Sequence, residues 1–147
     1  MKINKNIFRL YATALSVFIL AAYFSGCGNS DEMGIGPIKN EIKLASNIDK
    51  NLVEKGKNTF SMKCSSCHKF DSRLVGPPLK DVTKRRRPEW IMNQILNPVQ
   101  MVQENKISKE LFAQYLIQMT FQDVTQDDAR NILEYFRAVD ANQTSSN

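Results

Sequence analysis

The chain is 147 residues long, carries 20 Lys and Arg against 15 Asp and Glu, and has three cysteines and one histidine. That length fits one domain with extensions and argues against a multidomain architecture. A structural zinc site closes its tetrahedron with four protein ligands, and beside Cys64, Cys67 and His68 only Cys27 remains, which has another expected fate.

Residues 1–26 read as a signal peptide. Lys2, Lys5 and Arg9 form a positive start, and Leu10 to Phe24 is an apolar run of 15 residues, too short for an ordinary membrane span. Phe24-Ser25-Gly26-Cys27 closes the segment. This ending resembles a bacterial lipobox, with Phe24 where such motifs prefer Leu. The resemblance implies lipidation of Cys27 and a protein lipid-anchored to a bacterial membrane on its periplasmic side. Residues 27–48 carry Gly28, Gly34, Gly36 and Pro37 among polar residues, and read as a flexible tether. The polar stretch 141–147 reads as a disordered tail. One module remains, residues 49–140, within the usual domain range.

Asp49 is a fair N-cap for a first helix, and Leu52, Val53, Gly56 and Phe60 share one face of it. Cys64-Ser65-Ser66-Cys67-His68 follows. Two thiols separated by two residues and followed by a histidine read as a c-type haem attachment site. Cys64 and Cys67 would each form a thioether to a haem vinyl group, and His68 would bind the iron. A thioredoxin-type dithiol competes, but it follows a strand, and Phe60 to Lys63 continue a helical pattern. A plain disulfide leaves the surrounding features unexplained. The motif occurs once, so one covalent haem c is expected.

The adjacent prolines of Gly76-Pro77-Pro78-Leu79 exclude a helix interior or central strand and mark a fixed loop. Lys84-Arg85-Arg86-Arg87 precede Pro88, which suits the first position of a helix. Trp90, Ile91, Ile95 and Leu96 give that helix its apolar surface, and Asn97-Pro98 reads as its stop. Ser108 is expected to cap the next helix, with Leu111, Phe112, Tyr115 and Leu116 as a buried stripe. Thr125 and Asp128 have the spacing of a capping box. Ala129, Ile132, Leu133, Phe136 and Val139 then form the stripe of an amphipathic last helix. No convincing strand is present, so the expected class is all-α.

The iron's second axial ligand cannot be histidine. Thioether sulfur is soft and suits the role, and five methionines outside the initiator compete. Met33 lies in the tether and Met62 is too close to the attachment site. Met92 falls inside a predicted helix and Met101 just after a predicted stop. Met119 lies between two helices, in Gln118-Met119-Thr120-Phe121.

Taken together, residues 49–139 resemble a small class I, monohaem cytochrome c. The carrying motifs are the attachment site, Gly76-Pro77-x-Leu79, the Met119 loop, and the pair Gly56-x-x-x-Phe60 and Ile132-x-x-Tyr135. The resemblance implies a small fold whose first and last helices cross at Gly56. It assigns the Pro77 carbonyl as acceptor for the His68 ring and Met119 as the second axial ligand, with Thr120 where the family often has proline. It implies a one-electron carrier, not an enzyme, passing electrons from a quinol-oxidising complex to a terminal oxidase or a copper reductase. A haem enzyme or gas sensor with an open axial site is the alternative. Residues 50–87 carry 11 Lys and Arg against 3 Asp and Glu, a basic half that would steer acidic-surfaced redox proteins. Nucleic acid is not an expected partner for an exported haem protein.

Overall fold

The structure, a computed structural model, describes residues 29–142. Residues 1–28, which include the expected signal peptide and Cys27, and residues 143–147 lie outside the described residues. Within them there are seven helices and no strand. These are α1 (Asn29–Met33), α2 (Lys50–Lys63), α3 (Val82–Arg85), α4 (Pro88–Leu96), α5 (Pro98–Glu104), α6 (Lys106–Tyr115) and α7 (Gln126–Asp140).

The first long helix and the last one cross, and the crossing is set by Gly56. A Cβ there would fall on the main chain of Asn131 and Ile132, so only glycine lets α2 and α7 approach this closely. Both helices start on strong caps. Asp49 accepts from the amides of Asn51 and Leu52. Thr125 and Asp128 form a reciprocal capping box, which satisfies two otherwise orphaned amides. Below the crossing, Phe60, Phe70, Tyr135 and Phe136 pack with ring centroids 5.4–6.3 Å apart, a spacing that adds quadrupole attraction to area burial. Phe70 belongs to the loop after the attachment motif, so this cluster pins that loop to the core.

The segment expected to be a flexible tether is an ordered strap from residue 31 to residue 48. Ile35, Ile38, Ile42, Leu44 and Ile48 lie half-buried against the core. Its main chain is held by side chains from distant helices. Asn93, fully buried, accepts from the Ile38 amide at 2.9 Å and donates to the carbonyls of Met33 and Ile38 at 3.0 Å each. Glu89 accepts from the Ile42 amide at 2.6 Å, and Glu134 from the Asp49 amide at 3.0 Å. Glycine and polar content suggested disorder, but the isoleucines supply burial and α4 supplies the hydrogen bonds that a lone strap lacks.

Two local expectations are also corrected. Asn97-Pro98 ends α4 at Leu96, yet Pro98 occupies the first turn of α5, where its missing N–H costs nothing. The cap of α6 is Asn105, whose Oδ1 accepts from the Ser108 amide at 3.1 Å, and Ser108 itself is buried inside the helix.

Candidate haem site

The attachment motif begins where α2 ends. Cys64 is the C-cap of α2, and the amides of Cys67 and His68 both donate to its carbonyl, at 3.0 and 2.9 Å. One tight turn therefore carries both sulfurs and the imidazole. Burial, with the neighbouring Cys67 adding to it, pushes the Cys64 thiol up to about 11 against a smaller opposing pull from Lys63. Redox-active dithiols keep a low-pKa thiolate, often at a helix N-terminus. Here the thiol sits at the negative end of a helix, which disfavours a thiolate. The local electrostatics thus argue against the dithiol-exchange reading.

The loop that follows folds back over the motif. Val75 and Gly76 amides donate to the Cys67 carbonyl at 3.2 and 2.9 Å, and the Leu79 amide reaches the Lys69 carbonyl at 3.0 Å. This sets His68 Nδ1 3.1 Å from the Pro77 carbonyl. A carbonyl only accepts, so Nδ1 carries the proton and Nε2 keeps its lone pair. Burial pushes the imidazole below its ordinary range and outweighs the hydrogen bond to Pro77, which pushes it up. Gly76 lies flat against the ring, and a Cβ there would collide with it.

His68 and Cys64 open into a cleft of about 140 Å³ that is continuous with solvent at its mouth. Its walls are mainly apolar. Trp90 and Ile91 come from α4, Leu111, Phe112 and Tyr115 from α6, and Phe60 and Phe136 from the crossing helices. Met119 lies on the same cleft, in the segment between α6 and α7. Met92 and Met101 do not line it. Met92 is buried in the core, and the buried Met101 sulfur accepts from the Ile35 amide at 3.0 Å.

The stripe Leu111, Phe112, Tyr115 and Leu116 is only partly covered by protein, with Leu111 against the core and Arg73 over the Tyr115 ring. Phe112 is 40% exposed and Leu116 is 80% exposed. The first three face the cleft, and Leu116, in a left-handed conformation, ends α6 outside it. An apolar wall left partly uncovered beside a lone imidazole fits a large apolar plate, which would complete the core. At the polar edge stand Arg85 and Arg86. Arg85 donates to the carbonyls of Lys80 and Asp81, and Arg86 lies 5.5 Å from the Trp90 ring. Arg87, by contrast, is committed to Glu89 at 3.1 Å.

The comparisons agree with this geometry. The family model for cytochrome c matches residues 53–140. Cytochrome c from Rhodothermus marinus is 42% identical, with a TM-score of 0.71 over 77% of this chain and 95% of that one. An engineered form of that cytochrome, Rma TDE, is 40% identical, with a TM-score of 0.70 over 76% of this chain and 94% of its own. The same engineered protein bound to a carbene intermediate gives 40% identity and a TM-score of 0.67, at the same coverage. No curated protein matches the chain in sequence. The chain belongs to the cytochrome c family, a class of small all-α haem proteins. It accordingly binds haem c covalently, with Cys64 and Cys67 as the thiols of the attachment motif.

Sequence reasoning missed the strap, α5 and the Asn105 cap. The isoleucine spacing at 35, 38 and 42 was the available signal for the first. The second could have been read from proline's preference for helix starts.

Proposed function

We propose that this cytochrome c is a membrane-tethered carrier of single electrons, with the iron held between His68 and Met119. The supporting observation is the cleft itself. His68, its ring fixed by the Pro77 carbonyl, and Met119 line one apolar cavity, while Met92 and Met101 are buried elsewhere. Bound haem supplies the one-electron chemistry, its iron cycling between the ferric and ferrous states. The protein's own residues do the rest. Pro77 orients the imidazole, Met119 favours the softer ferrous state and raises the potential, and the apolar walls disfavour the additional ferric charge. Arg85 and Arg86, which line the cleft, would hold the haem propionates.

Cys27 carries the lipid that anchors the module on the periplasmic side of a bacterial membrane. The partners are acidic-surfaced redox proteins, a quinol-oxidising complex on one side and an oxidase or copper reductase on the other. They are steered by the excess of Lys and Arg over residues 50–87. His68 and Met119 would together hold the iron, which would leave no position on it for a substrate.

One observation favours a second reading, an open axial site. Among the described residues, 117–124 make no hydrogen bond from main chain to main chain, and a similar engineered cytochrome holds a carbene intermediate. Visible spectra of wild type and Met119→Ala, matured with haem in an exporting host, separate the two. A low-spin ferrous spectrum and a methionine–ferric charge-transfer band that the variant loses support His68/Met119 ligation. A high-spin wild type that binds CO or cyanide rapidly supports the open site. Failure to attach haem under working maturation refutes both.

A further inference from the structure

The strap begins at a corner of the molecule next to the haem cleft. The Asp31 carbonyl accepts from Asn105 Nδ2 at 2.9 Å, and its carboxylate accepts from the Lys106 amide at 3.2 Å. Both partners sit where α5 turns into α6. The other face of Asn105 meets the cleft wall, because its Oδ1 accepts from Trp90 Nε1 at 3.1 Å. One buried side chain thus separates the start of the strap from a residue that lines the haem cleft.

We propose that residues 31–48 are a rigid mount that holds the α5–α6 corner, and the haem wall behind it, at the membrane surface. This rests on the lipid anchor at Cys27 proposed above. Cys27 stands four residues before Asp31. At about 3.6 Å per residue the lipidated residue lies within about 14 Å of the corner. A free spacer over the 21 residues 28–48 would instead reach about 75 Å at full extension, with a typical span of about 25 Å. The ties between the two ends leave no free run. Ile35 is held by Met101, Ile38 by Asn93, Ile42 by Glu89, and the Ala45 carbonyl by Arg137 at 2.7 Å.

The corner suits this position. Lys106 and Lys109 are exposed in the first turns of α6. Such long cationic side chains fit the headgroup layer. Glu104 and Glu110, also exposed, offset the two lysines, so the mount depends on the anchor and not on lipid charge.

The test uses the full chain, processed and haem-loaded, in phosphatidylcholine vesicles carrying a trace of headgroup-fluorescent lipid. Haem quenches that fluorophore over short distances. Wild type is compared with a chain carrying twenty Gly-Ser residues inserted after Gly28, a change that leaves every strap contact intact. The expected result is at least threefold weaker quenching in the insertion chain, unchanged by salt. Equal quenching with Cys27 lipidated, checked by mass spectrometry, overturns the mount alone. An unlipidated Cys27 overturns the mount together with the anchor reading. Hydrogen exchange gives a second readout. Amides of Ile35, Ile38 and Ile42 are expected to be protected at least a hundredfold, and unprotected amides overturn the mount from the side of the strap.

Discussion

Replacing Asn93 with alanine is the sharpest test of how the strap is held. The side chain is fully buried and makes three hydrogen bonds to residues 33 and 38, more than fifty positions away in sequence. A net value of about 1 kcal/mol per bond gives a loss of about 3 kcal/mol. The figure stays near that value because the strap is only half-buried, so its freed amide and carbonyls can find water. The alanine also removes the surface on which Gly36 packs, since a Cβ at Gly36 would fall on the Asn93 amide. Urea denaturation of the haem-loaded protein, followed by far-ultraviolet circular dichroism, measures the loss. Hydrogen exchange at Ile38 locates it, with protection falling about a hundredfold. The thermal midpoint should drop by on the order of 10 °C. A loss below about 1 kcal/mol with Ile38 exchange unchanged would refute the reasoning, and the strap would then be held by its isoleucines alone.

Gly56→Ala places a methyl group on the Asn131 carbonyl and should cost about 1–3 kcal/mol by forcing α2 from α7, measured by the same denaturation. Glu134 is buried, which raises its pKa, but Arg130, the Asp49 amide and Arg137 outweigh this and hold the carboxyl below its ordinary range. Such a group stabilises the fold fully above its unfolded value of about 4.3, and the stabilisation is lost as pH falls through the lower folded value. Glu134→Gln should therefore flatten the acid limb of a stability-against-pH curve. Arg86→Gln removes a cation at the cleft edge and should lower the midpoint potential by about 40 mV, equivalent to about 1 kcal/mol for one electron. A redox titration showing no shift would remove Arg86 from the propionate end.

Much of the site was legible because its determinants are local. The haem attachment turn is five consecutive residues, and its cofactor follows from the chemistry of two thiols and an imidazole at fixed spacing. Thr125 and Asp128 define their own helix start, and the stripe of α7 repeats within one helix. The glycine at 56 could be paired with Ile132 and Tyr135 only through a family resemblance, since nothing local states which helix crosses it.

The strap could not be read in this way. Its amides are satisfied by Asn93, Glu89 and Met101, residues that lie far along the chain and whose orientation depends on the packing of α4 and α5. The stripe of α6 misled for a related reason. Leu111, Phe112 and Tyr115 have the periodicity of a buried face, but they line the cleft, and Phe112 is left 40% exposed by the protein. Sequence alone therefore determined the helices, their caps and the covalent chemistry, where each signal lies within a few residues. Tertiary structure decided which polar groups meet across the chain, because burial and hydrogen-bond partners are set only when distant helices pack together.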